Sequence, residues 1–212
     1  MWSSEVTNMI ITGIWETLYM TLVSTLVGYV IGLPMGIILT VSDKDGIKPN
    51  AVLYKILDVI ANIVRSVPFI ILLVLLIPFT RLVVGKSYGS TATIVPLVIA
   101  AAPYIARMVE SSLKEVDAGV IEAARSMGAS NFTIITKVML VEARTSLLVG
   151  ATITLGTILG YSAMSGAVGG GGLGAIAIRY GYTRWQTDIM IVTVILLIIL
   201  FQIFQTVGMK LA

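Results

Sequence analysis

The chain has 212 residues, 57% hydrophobic and 12% charged, with mean hydropathy +0.99. Soluble domains carry about a quarter charged residues, so an ordinary soluble domain is excluded and a membrane protein is indicated. There is no cysteine and no histidine, which removes disulfides, thiolate metal sites, the usual zinc constellations and histidine proton relays, and the net charge of +3 calls for no nucleic acid.

A hydrocarbon core of roughly 30 Å needs about 20 helical residues. Five stretches qualify: 17–41, a less clean one within 56–84, 91–109, 146–165 and 187–208. No hydrophilic block is large enough for a second domain, so residues 1–212 read as one all-α integral membrane unit. Gly28, Gly32 and Gly36 fall on one face of the first span. Such a face lets helix backbones approach in lipid, as a seam inside the bundle or at a dimer contact. Pro34 is expected to bend this helix.

The second stretch divides at Ser66-Val67-Pro68, because proline suits the first turn of a new helix. Residues 53–65 read as an amphipathic, interfacial segment that puts Asp58 and Arg65 on one face, and 67–84 as the true span, broken again by Pro78. Pro96 and Pro103 are expected to break the third span, freeing carbonyls for a path. The fourth span is rich in Gly, Thr and Ser and is expected at the centre. The fifth is aliphatic and expected at the periphery, with Gln202 and Gln205 bonding inward.

Lys and Arg set the orientation. Lys44, Lys48, Lys55, Arg65, Arg107, Lys114, Arg125, Lys137, Arg144 and Lys210 fall on one side, against Arg81, Lys86, Arg179 and Arg184 on the other. Ten against four puts the N-terminus outside and the C-terminus in the cytoplasm. The N-terminus lacks the basic region of a secretory signal.

Residues 109–145 form a polar island between spans three and four. Asp117 suits an N-cap, 119–127 a short helix, Gly128 a glycine C-cap and Ser130 the cap of a second helix. Glu122 and Arg125 are spaced to pair, while Ala123 and Ala124 make a smooth surface. Val120, Ile121, Met127, Phe132, Ile134 and Ile135 are too many apolar groups to leave in water. The run GGGGLG over 169–174 satisfies a dinucleotide-binding pattern but follows no strand, so it reads as a tight, close-packed turn. No Walker-type sequence occurs, so the chain is not expected to hydrolyse ATP itself.

Glu122-Ala123-Ala124, then Gly128 and Leu140, resemble the EAA loop of the permease subunits of bacterial ATP-binding-cassette importers. Arg65-Ser66-Val67-Pro68-Phe69-Ile70-Ile71-Leu72-Leu73, Ala102-Pro103-Tyr104-Ile105-Ala106-Arg107 and Gly160-Tyr161-Ser162-Ala163-Met164 are similar to the methionine-uptake members, as are Gly172-Leu173-Gly174 and Tyr180-Gly181-Tyr182. The likeness covers almost the whole chain; the one departure is Val141, where the family has proline.

The resemblance implies a type I importer of methionine, D- and L-, in the bacterial inner membrane. It implies a homodimer with two cytoplasmic ATPase subunits that bind ATP and magnesium, and an extracytoplasmic methionine-binding protein. This chain would carry no cofactor, metal or catalytic residue. Residues 110–144 would be the coupling segment, with Glu122, Ala123, Ala124, Met127 and Gly128 at the ATPase. Met164 would gate the path on a two-fold axis, with Tyr161, Ser162, Pro68 and Pro103 along it.

Other transport classes fit less well. A proton-driven carrier needs an intramembrane ionisable residue, for which Asp58, expected near the interface, is the main candidate. A passive channel needs no apolar, glycine-broken helix pair.

Overall fold

The computed structural model describes residues 4–212. Residues 1–3, part of the N-terminal stretch read as lacking a basic leader, lie outside the described residues. All regular structure among the described residues is helical. Ser4–Ser42, Ser90–Lys114, Arg144–Tyr182 and Thr187–Leu211 are long and apolar enough to cross a membrane, and a bent pair, Ala51–Ser66 with Phe69–Leu75, brings the spans to as many as five.

Helix α1 (Ser4–Ser42) is 39 residues long, about 58 Å at 1.5 Å per residue. Its glycine face is a packing seam against α5 (Ser90–Lys114). A methyl group added at Gly32 would lie 2.5 Å from the Ala102 carbonyl oxygen, and one at Gly36 would lie 2.6 Å from that of Ala106. Gly28 faces Ala101, Gly32 faces Ile105 and Gly36 faces Val109, so the two helices run parallel. Only a residue without a side chain allows this approach of backbone to backbone.

Pro96 and Pro103 do less than their chemistry suggests. α1 continues through Pro34, and α5 is one 25-residue helix through Pro96 and Pro103. Each proline removes one backbone bond, and the turns on either side, pressed against neighbouring helices, hold the helix together.

The break at Pro68 is real. α2 (Ala51–Ser66) meets α3 (Phe69–Leu75) at a bend of 101°. The second break expected at Pro78 within 67–84 falls at Leu76, before α4 (Ile77–Val84), with Pro78 in the first turn of that helix. α3 and α4 have seven and eight residues, so each is far short of the roughly 30 Å core.

After α5 the chain makes α6 (Ala118–Ser126), then a helical run in which α7 (Asn131–Thr133) and α8 (Leu140–Glu142) flank a π-helical turn, Ile134–Met139. α9 (Arg144–Ser165) packs against α1, α5 and the last helix, Thr187–Leu211. Its Thr152 and Thr154 hydroxyls donate to the carbonyls of Leu148 and Gly150, which satisfies them inside an apolar bundle. α10 (Gly172–Ile176) folds back on α9 so closely that a methyl at Gly174 would fall 2.1 Å from the Ala163 carbonyl oxygen. Glu16 and Thr17 of α1 receive the first free N–H groups of α10, from Gly172 at 2.7 Å and Leu173 at 2.9 Å. The glycine run is therefore the close-packed turn its composition predicts.

α11 (Thr187–Leu211) buries only Ile189 and Thr193 and leaves Ile191, Ile195 and Ile198 open, as a peripheral helix should. The inward bonds expected of Gln202 and Gln205 do not form among the described residues, because this helix turns little of its surface inward.

Candidate functional site

The coupling segment is built from local signals. The Asp117 carboxylate accepts the Gly119 N–H at 2.7 Å and starts α6. Gly128, at φ +81°, ends it in the left-handed region. Open space surrounds Gly128, so its requirement for glycine is one of backbone angle. The Ala129 N–H then returns to the Ala124 carbonyl at 3.1 Å, and the Ser130 hydroxyl accepts the Thr133 N–H at 3.2 Å to start the next helix.

The proposed contact residues divide between two faces. Glu122, Ala123, Met127 and Gly128 are exposed, and Met127 is 82% so. Ala124 is buried against the core, so the two alanines do not share one outer surface: consecutive residues sit about 100° apart on a helix. The apolar groups of the island divide in the same way. Ile134 is fully buried, and Ile121 and Ile135 pack partly on the core, whereas Val120, Phe132 and Met127 stay open.

Glu122 and Arg125 do not pair. The Arg125 guanidinium donates instead to the Ile47 carbonyl at 2.6 Å, which ties α6 to the loop after α1. Glu122 lines a cleft of about 690 Å³ between that loop and α6, with Asp43, Asp45, Lys114 and Arg125.

The second group lies where α3 meets α9. Pro68 turns the chain so that Phe69, the first residue of α3, stacks on Tyr161, with centroids 4.4 Å apart and planes at 4°. Arg65 sits 5.9 Å from the Tyr104 ring, and these four side chains border a small cavity of about 160 Å³. Met164 is half exposed near the end of α9 and Pro68 is exposed. Ser162 and Pro103 face inward, and the Ser162 hydroxyl donates to the Leu159 carbonyl at 2.8 Å.

An ionic ladder joins these two groups, and sequence reasoning missed it. Arg107 of α5 pairs with Asp58 of α2 and with Glu110 at 2.7 Å, and donates to Asn62 at 3.0 Å. Lys114 bridges Glu110 at 2.8 Å and Asp43 at 2.6 Å. The Tyr54 hydroxyl donates to Glu110 at 3.3 Å. The Lys114 hydrogen bond holds the Asp43 carboxyl below the usual aspartate range. Arg107, Glu110 and Lys114 sit at i, i+3 and i+7 on one face, a spacing that signals a charged stripe. Asp58 and Arg65 therefore have separate partners, and Asp58 is a paired anion, not the lone carboxylate of a proton relay. Among the described residues no acidic cluster could hold a metal ion.

Comparison with known proteins agrees with this architecture. Residues 32–208 match the sequence profile of the family described as binding-protein-dependent transport system inner membrane component. A probable D-methionine transport system permease protein, MetI, of Vibrio cholerae is 49% identical over 98% of this chain and 92% of its own length. The D-methionine permease MetI of Escherichia coli is 52% identical over 74% of this chain and 73% of its own. A solved structure of the MetNI methionine ABC transporter in inward-facing conformations superposes with TM-score 0.97 and 50% identity, covering 99% of this chain and 97% of that one. An amino acid ABC transporter solved with histidines shares the fold alone, at TM-score 0.78 and 22% identity over 96% and 92% of the two chains. The chain belongs to the family of binding-protein-dependent transport system inner membrane components.

Proposed function

We propose that this chain is the permease subunit of an ATP-driven methionine importer in the bacterial inner membrane, working by alternating access. The observation that carries the coupling part of this reading is α6: a capped, glycine-terminated helix that presents Glu122, Ala123 and Met127 outward while Ala124 and Arg125 anchor it from behind. The likeness to MetNI and to the named permeases supports methionine as the substrate.

Two copies of the chain form the path, and each docks one ATPase on α6. ATP and magnesium belong to the ATPase. A methionine-binding protein delivers substrate at the glycine-turn end, outside the cell, and α6 and the C-terminus face the cytoplasm. Closure of the ATPase pair moves α6. Arg125 passes that motion to the loop after α1, and the three residues after Lys114 pass it to α5. α5 carries it along the ionic ladder to α2, and the bend at Pro68 delivers it to Phe69 and Tyr161. Tyr161, Met164 and Pro68 are the path-facing residues in this reading; Ser162 and Pro103 set the packing behind them. Coupling of this kind is reciprocal, so a loaded binding protein favours ATPase closure.

The test is purification of the tagged chain from its host in mild detergent. An ATP-binding-cassette ATPase in equal amount is the expected companion, and membrane vesicles from the same cells should take up labelled methionine only when ATP is supplied inside. Recovery of the chain alone, under conditions that keep other complexes whole, contradicts the proposal.

A further inference from the structure

We propose that the cavity at the Pro68 bend is the methionine subsite of the transport path, with the substrate carboxylate on Arg65 and its thioether on the Phe69–Tyr161 stack. This inference rests on the importer reading, in which Tyr161 and Pro68 face the path, and names where the substrate sits in it. The cavity, about 160 Å³, is lined by Arg65, Phe69, Leu72, Ala100, Tyr104 and Tyr161, with two valines. Drug-sized ligands occupy pockets of roughly 300–1,000 Å³. This one has room for a single small molecule.

Arg65 is the charged group of that lining, and no acid stands in it. Among the described residues its guanidinium makes no ion pair and donates no hydrogen bond to another residue. The nearest carboxylates along the chain and the ladder are engaged elsewhere. Asp58, two turns back along α2, pairs with Arg107, and Glu110 lies between Arg107 and Lys114. What holds the guanidinium is the Tyr104 ring, 5.9 Å away. A ring face attracts the cation without occupying its five N–H donors, which stay available for a carboxylate in the two-point geometry arginine favours.

Position adds to the case. Tyr104 lies ten residues from the Lys114 end of α5, about 15 Å along the helix axis, and fourteen from the Ser90 end. α5 is long and apolar enough to cross a membrane. A cation held beside the middle of such a helix is expensive, and groups so placed mark substrate pathways and meet a partner of opposite charge. The aromatic half of the cavity suits a thioether. The Phe69 and Tyr161 rings stack at 4.4 Å, each covering one face of the other and leaving the ring edges for further contacts. Sulfur favours a ring edge, at about 5 Å. Leu72 and Ala100 supply apolar contact for the methylene chain. A free phosphate makes no use of the rings, and a phospholipid is too large for the cavity.

Ligand-observed NMR of the full-length chain in mild detergent tests this, with methionine, methioninamide and norleucine as probes. Methioninamide keeps the thioether and the ammonium but has no carboxylate; norleucine keeps the carboxylate and replaces the sulfur by a methylene. The wild type should bind methionine roughly ten- to a hundredfold tighter than methioninamide, as the loss of a hydrogen-bonded contact to a charged group predicts. It should prefer methionine to norleucine roughly two- to tenfold. Arg65→Gln should erase the first preference and keep the second, and Tyr161→Leu should do the reverse. Arg65→Lys should keep part of the first. An Arg65→Gln variant, at matched melting temperature, that still prefers methionine to methioninamide overturns the site; ATP-driven methionine uptake by the wild-type complex then leaves the importer reading standing. A fall from dimer to monomer in Arg65→Gln also overturns it, because the arginine then serves a contact with a second copy. A wild-type complex that takes up no methionine removes the importer reading and this site with it.

Discussion

Helix α5 is held by two joints of opposite character. Toward α1 it meets a glycine face, and the backbones touch. Toward α2 it meets one carboxylate, Asp58, an amide and a phenol through Arg107, Glu110 and Lys114. The first joint is set by shape and has one arrangement, because any displacement opens a gap or forces a clash. The second is set by charge, and its long side chains exchange partners at little cost in packing. The α1–α5 seam is accordingly the fixed frame, and the α2–α5 ladder is the element with freedom to rearrange when α6 moves.

Substitutions should separate the two joints. The largest loss is expected for Gly32→Leu, whose side chain has a backbone oxygen where its first carbon must go. Overpacking costs roughly 1–3 kcal/mol, more where backbone must shift, so this variant should fail to give a monodisperse protein in detergent. Next comes Arg107→Met, which leaves Asp58 and the buried Glu110 without their shared cation. Breaking a buried pair costs about 3–5 kcal/mol, and partial exposure of Asp58 places this one at or below the lower end. The melting temperature in detergent should fall, and Arg107→Lys should restore only part of it.

Gly128→Val comes third. A β-branched residue in the left-handed region costs about 1–2 kcal/mol locally. Membrane insertion should be normal and co-purification of the ATPase reduced. Tyr161→Leu removes a stack worth about 0.5–1.5 kcal/mol beyond its buried area, and should lower uptake more than stability. The smallest effect is that of Asp43→Asn, below about 1 kcal/mol for a pair near the surface. The Asp43 carboxyl is held low by Lys114, so its contribution is present above the ordinary aspartate range and lost as pH falls through the folded value. Wild type and variant should therefore differ at pH 7 and converge only below about pH 4, in melting curves taken across pH.

What the sequence made legible was local. Asp117, Gly128 and Ser130 each act within three residues of themselves, and their types alone announce α6 and its neighbour. The glycine face of α1 and the contrast of α9 with α11 follow from spacing and side-chain size. Contacts across the chain were not legible. Arg107 and Asp58 are 49 positions apart, Arg125 and Ile47 are 78, and Gly172 and Glu16 are 156. Nothing local distinguishes a carboxylate that will find such a partner from one that will face water. Proline was legible in one place and misled in another: Pro68 starts a new helix after a bend, as its type predicts, whereas Pro96 and Pro103 sit inside a helix whose neighbours keep it whole.

The most direct test of the central claim is methionine uptake into proteoliposomes that contain this chain and its co-purified ATPase. With the binding protein outside and ATP inside, the wild type should accumulate methionine against a gradient. Gly128→Val should abolish accumulation while leaving the chain inserted and folded. Accumulation that needs no ATP, or a Gly128→Val variant that transports as well as the wild type, contradicts the account.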